Sequence, residues 1–148
     1  MNYSNFDRAC AFAMDELERY GNHALKGDPG RRTIWGIAEK WHPREVAQMA
    51  AVSPEAAKEI AEGVYLRDYW QRAHCEPLPW PACLVVFDYA VQSDPVEAWA
   101  QWCVYGDWLG ILCKRVRKYA ALAETTPQFY NGWINRMEKV YSLARDGQ

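Results

Sequence analysis

The sequence lacks most of the features that would classify it quickly. Its three histidines, His23, His42 and His74, are scattered, and no two pairs of ligand-type residues have the spacing of a zinc site. Nothing in the spacing calls for a metal or a cofactor. The five cysteines, Cys10, Cys75, Cys83, Cys103 and Cys113, are odd in number and form no close C-x-x-C pair. That argues against a disulfide framework and for reduced thiols in a protein made in the cytoplasm. No sign of charge dominates: 17 basic and 19 acidic residues leave a formal charge of −2. Phosphate binding needs a concentrated basic surface, so no nucleic-acid partner is expected. The opening MNYSNFDRACAFAMDELERYG carries charges throughout. It is read as neither a secretory signal nor a membrane anchor. There are no internal repeats, low-complexity tracts or linkers.

What is present is enough for one domain. A chain of 148 residues, half of them apolar and 24% charged, can bury a core without staples. Eight tryptophans and nine tyrosines stand out. Most should be core, because aromatic rings carry a large apolar surface, but the excess also suits stacking on sugars.

The periodicity is helical nearly everywhere. Phe6, Ala9, Cys10, Ala13 and Leu17 recur at three- and four-residue spacing, with Ser4 as a cap and Gly21 as a stop. Three more helices carry one start signal, a capping side chain before proline: Ser53-Pro54, Asp94-Pro95 and Thr126-Pro127. Ala57, Ile60, Ala61 and Val64 line one face after Ser53. Phe129, Trp133, Met137, Val140 and Ala144 line another near the C-terminus. The apolar run CLVVFDYAV (residues 83–91) fits a strand or a buried helix, and its helical neighbours favour helix. Only residues 27–36 read as irregular or weakly β. The prediction is a mainly α fold with at most a small β-hairpin near residues 28–37. The single basic cluster, CKRVRK (residues 113–118), is read as the solvated face of a helix, with attraction to an anionic cell wall as the alternative.

One segment concentrates chemistry. Glu18 ends the first helix, and Asp28 and Thr33 follow on a glycine-containing turn with Arg31 and Arg32. A carboxylic acid that donates a proton near neutral pH needs a partly apolar pocket. Glu18 borders the apolar stripe beside Cys10 and Met14. Glu16 borders its other side, so the wheel alone does not choose; Glu18 is favoured because it lies nearest the loop. Asp28 could stabilise positive charge at a sugar carbon, and Thr33 could orient a water.

These residues also resemble a family. DPGRRTIWGIAEKWHP (residues 28–43) resembles the Asp-Pro-Gly-Gly-x-Thr-x-x-Gly-Ile signature of glycoside hydrolase family 108, the phage-type N-acetylmuramidases. FDRACAFAMDELE resembles that family's opening helix, which ends in the catalytic Glu. AEGVYLRDYW is similar to its Ile-Tyr-x-x-Tyr-Trp segment, and LPWPACLVVFDYAV to its Leu-Pro…Phe-Asp-x-Ala-Val segment. FYNGWINRMEKVYSLA is similar to its C-terminal Gly-Trp-x-Asn-Arg helix. The matches follow the family's order from residue 6 to residue 144. There are departures: the family's Glu-Gly-Gly reads Glu18-Arg19-Tyr20 here, and the second glycine of the turn is Arg31.

The resemblance implies a lysozyme-like helical domain over residues 1–148. Residues 1 to about 92 would form its catalytic part, and the remainder a helical part associated with peptidoglycan. It implies cleavage of the β-1,4 bond after N-acetylmuramic acid by a monomer, an endolysin that reaches the cell wall after release or export from the cytoplasm. Glu18 would be the general acid, with Asp28 and Thr33 assisting. Trp35 fits a saccharide wall or core equally well. Tyr65, Tyr69 and Trp70 are expected across from Glu18 as glycan contacts, Trp70 more often packing. Asp88 reads as a structural carboxylate, Trp133 as packing, and Arg136 as partner of a buried acid. Two other functions remain open: a non-catalytic wall-binding or inhibitor module on the same scaffold, and a lytic transglycosylase.

Overall fold

The chain turns helical where the start signals place it. The computed structural model describes residues 4–21, 23–24 and 32–147. Among these the architecture is mainly α, with seven α-helices and one small antiparallel sheet. No helix among the described residues is long and apolar enough to cross a membrane. The chain forms two compact units, Met1–Asp68 and Tyr69–Gln148. Residue 92, the boundary expected from sequence, falls at the end of a helix within the second.

In the first unit, Ser4 and Asp7 form a capping box that opens α1 (Asn5–Ala11), each accepting the other's amide at 3.1 Å. The helix does not continue in α geometry. Phe12–Glu18 is π-helical, and the Arg19 amide reaches back five residues to the Met14 carbonyl at 2.6 Å. Ala9, Cys10, Ala13 and Met14 are buried, as the stripe predicts. Next come β1 (His23–Ala24), β2 (Arg32–Ile34) and β3 (Ile37–Ala38) in that sheet order. The expected hairpin is β2–β3, with Ile34 opposite Ile37, and β1 adds a third short strand. Two helices complete the unit: α2 (Pro43–Ala50) and α3 (Pro54–Val64), the latter capped by Ser53, which accepts from the Ala56 amide at 3.2 Å. A second π-helical stretch, Tyr65–Gln71, follows directly.

The second unit is built around α4 (Ala82–Gln92), the run that fitted strand or helix. Residues 82–90 are all buried, and a helix that is apolar all round belongs inside a protein. It packs against α5 (Pro95–Tyr105), α6 (Trp108–Leu122) and α7 (Tyr130–Asp146). Asp94 caps α5 and Asp107 caps α6, each accepting two backbone amides. Thr126 is not the cap expected of it. Its hydroxyl is donated back to the Leu122 carbonyl at 2.8 Å, and Pro127–Phe129 makes a 3-10 turn before α7. Phe129 accordingly lies outside α7 and is exposed, whereas Met137, Val140 and Ala144 form its buried face.

The largest departure from the sequence reading is Arg115. The basic cluster does lie on a helix, α6, but Arg115 is fully buried. It donates to Asp88 at 2.6 Å and to the Tyr119 hydroxyl at 3.0 Å. Arg136 adds a second bond to the same carboxylate, from Nε at 3.0 Å. The expected pairing of Arg136 with a buried acid is thus present, in company with Arg115, whose charged sequence neighbours predict a solvated position. Trp133 stacks on Tyr119 with centroids 5.1 Å apart, a packing role.

Candidate active site

Glu18 is the last residue of the π-helical segment. The wider i→i+5 turn advances each residue by a smaller angle than an α-turn would and so re-aims the side chain, and such segments occur often at functional sites. Glu18 is half-buried, while Glu16 is exposed. Immediately beyond, Arg19 has φ 57° and ψ −178°, a conformation otherwise almost confined to glycine and costing about 1–3 kcal/mol in other residues. The sharp exit from the helix is therefore kept without the glycine that the family pattern has there. Arg19→Gly is expected to raise stability by about 1 kcal/mol, seen as a melting temperature roughly 2–4 °C higher. An unchanged or lower melting temperature would show that the arginine carries no backbone penalty.

Chain turning at this exit is met by the β2–β3 hairpin. Ile34 and Ile37 are paired, so the turn is Trp35-Gly36. Both have positive φ, 51° and 78°, as the two-residue turn that matches strand twist requires. Glycine adopts this freely; tryptophan does not. Trp35 is held by its surroundings. Its amide donates to the Tyr20 carbonyl at 2.8 Å, its indole N–H to the Pro54 carbonyl at 3.0 Å, and its own carbonyl accepts from the Tyr65 hydroxyl at 2.7 Å. The ring meets the edge of Tyr20 at 5.5 Å, and the Lys58 ammonium lies 5.5 Å from its centroid. Trp35 nevertheless stays partly exposed. The Cβ and Cγ of Glu18 pack directly on Gly36.

The structure thus gathers Glu18, Trp35, Gly36 and Tyr65 in the first unit. Thr33 is half-buried at the centre of the sheet, paired with His23 on one side and Ala38 on the other. Asp28 lies outside the described residues. Tyr65 is 0% exposed and Trp70 is 1% exposed. Trp70 donates its indole N–H to Glu76 at 2.8 Å and meets Phe87 edge-on at 5.6 Å. Rings enclosed this way have no face free for a sugar, so both act through packing and hydrogen bonding. Tyr69 keeps partial exposure. What the sequence reading missed here is Gly36. Its signal was only partial: glycine fits the second position of a two-residue hairpin turn between two isoleucines, but tryptophan is not a residue that marks the first.

Among known protein families, the model described as Glycosyl hydrolase 108 matches residues 18–93. That span begins at Glu18, takes in the hairpin, and covers just over half of the 148 residues. The chain belongs to glycosyl hydrolase family 108. It is therefore a glycoside hydrolase, and the family resemblance holds for the motifs within residues 18–93. No curated protein and no solved structure matches the hydrolase.

Proposed function

We propose that the hydrolase cleaves the β-1,4 bond between N-acetylmuramic acid and N-acetylglucosamine in bacterial peptidoglycan, as an endolysin-type muramidase. The observation that carries the reading is Glu18 itself. It is half-buried, pressed against the hairpin turn at the start of the family-matched span, while the competing Glu16 faces solvent. The Glu18 carboxyl donates its proton to the glycosidic oxygen as the C1–O bond breaks, and a water attacks C1 and gives up a proton. Asp28 takes the part of base or of charge stabiliser, and the Thr33 hydroxyl orients the water. The exposed part of the Trp35 indole, fixed by its bond to Pro54, offers a sugar-stacking wall. A chain made in the cytoplasm would reach this substrate only after release or export.

The separation of the two carboxyls sets the stereochemistry: roughly 6.5–9.5 Å leaves room for a water and gives inversion at C1, whereas about 5–5.5 Å gives retention. Digestion of purified peptidoglycan, with masses of the products, tests the reading. Reducing ends that have gained water are expected on N-acetylmuramic acid. A 1,6-anhydro end would instead identify a lytic transglycosylase, and no product at all a non-catalytic module.

A further inference from the structure

The space that a side chain on residue 36 would fill is already taken. A Cβ on Gly36 would lie 2.5 Å from the Tyr65 hydroxyl oxygen, 2.6 Å from Glu18 Cγ and 2.8 Å from Glu18 Cβ. Because the hydroxyl oxygen and Glu18 Cγ approach one point to 2.5 and 2.6 Å, they are no more than about 5 Å apart. The same hydroxyl donates to the carbonyl of Trp35, the residue before Gly36, at 2.7 Å. Trp35 in turn takes hold of the chain two residues past Glu18, through the Tyr20 carbonyl. The turn is thus tied to the second π-helical stretch on one side and to the exit of the first on the other. Together with the indole bond to Pro54, these ties hold a tryptophan at φ 51° against its own preference.

We infer that Tyr65 is a positioning residue for the hydrolytic reaction. By holding the Trp35-Gly36 turn, its hydroxyl sets where the Glu18 carboxyl sits, and the bare Cα of Gly36 lets the carboxyl sit there. Tyr65 touches no substrate; it is wholly buried. The inference rests on the reading of Glu18 as the acid. Its consequence is kinetic. Tyr65→Phe keeps the ring and removes the hydroxyl that ties the turn, so the turn relaxes and the acid drifts from the glycosidic oxygen. A misplacement of about 1 Å is enough to cost on the order of a hundredfold in rate.

Gly36→Ala would strain a left-handed backbone as well as displace Glu18, so Tyr65→Phe is the decisive variant. Steady-state kinetics on soluble peptidoglycan fragments and thermal melts should be compared for Tyr65→Phe, Asp107→Ala and Glu18→Gln. Asp107→Ala removes the cap of α6 and serves as a control for destabilisation outside the Glu18 site. The expected result is a kcat at least about tenfold lower in Tyr65→Phe with KM within about twofold, since a group acting through the acid is lost mainly from the chemical step. Asp107→Ala should melt earlier with kcat kept. A Tyr65→Phe enzyme whose kcat falls no further than that of Asp107→Ala overturns the inference, and an inactive Glu18→Gln beside it would leave the acid assignment standing. Wild-type kinetics in Glu18→Gln would remove the acid assignment and the positioning role together.

Discussion

Glu18→Gln is expected to cut the lysis rate of peptidoglycan by about two or more orders of magnitude while the protein stays folded. General-acid catalysis contributes typically about 10²–10⁴-fold, and the amide cannot supply the proton. Fold retention follows from the contacts. What Glu18 presents to the hairpin is Cβ and Cγ, against Gly36, and glutamine reproduces both atoms. The loss should therefore fall on kcat and spare the melting temperature. Turbidity clearing of cell-wall suspensions, with far-UV circular dichroism of the same preparation, measures both. A Glu18→Gln protein that clears walls at the wild-type rate would sink the assignment, and Glu16→Gln, altering an exposed side chain, should behave as wild type.

Asp88→Ala should produce the largest loss of stability in the molecule. Asp88 is 2% exposed and accepts from two arginines, one of which is wholly buried. Removing one partner of a buried ionic cluster leaves the other charges without compensation and costs about 3–5 kcal/mol. For a chain of this length that corresponds to a melting temperature lower by roughly 10 °C or more. The exposed Arg145–Asp146 pair provides the control, since Asp146→Ala should leave melting unchanged. A loss at Asp88 no larger than the control's would mean that the cluster is indifferent to its carboxylate.

The same cluster predicts an acid limit. Burial acts to raise the pKa of Asp88, but the charges of Arg136 and then Arg115 outweigh it, and the net shift is downward from the ordinary 3.8. A carboxylate with a depressed folded pKa contributes its stability in full above the unfolded value, and loses it as pH falls through the folded one. Stability should therefore decline progressively below about pH 4. In Asp88→Ala that part of the acid dependence should be missing. Urea titrations at several acidic pH values would show it, and an identical acid dependence in both proteins would contradict the linkage.

Much of this molecule was legible in its residue order. Apolar spacing located the buried faces of the first, third and last helices, and the Ser53-Pro54 and Asp94-Pro95 pairs marked helix starts to the residue. Local rules suffice there, because a cap or an N1 proline acts on its own helix terminus and nothing distant competes. The acid candidate was likewise legible from its place at a helix end next to the hairpin. Arg115 was legible in principle but read wrongly. Ile111, Leu112 and Tyr119, at three and four residues from it, put it on the buried stripe of α6, yet its charged neighbours suggested solvent. A charged residue on an apolar face reveals its partner only when another helix arrives.

Other features belong to the tertiary structure alone. No residue pattern distinguishes an α-turn from a π-turn at Phe12–Glu18, since the extra residue is accommodated by what the helix end packs against. The positive φ of Arg19 and of Trp35 runs against both residues' own preferences. It is maintained by bonds to Met14, Tyr20, Pro54 and Tyr65, contacts between segments up to 30 positions apart. Local sequence determined which segments would be helical and which carboxylate stood nearest the loop. Only the folded chain decided that this carboxylate rests on the bare Cα of Gly36, because steric exclusion at one point depends on all the segments that converge there.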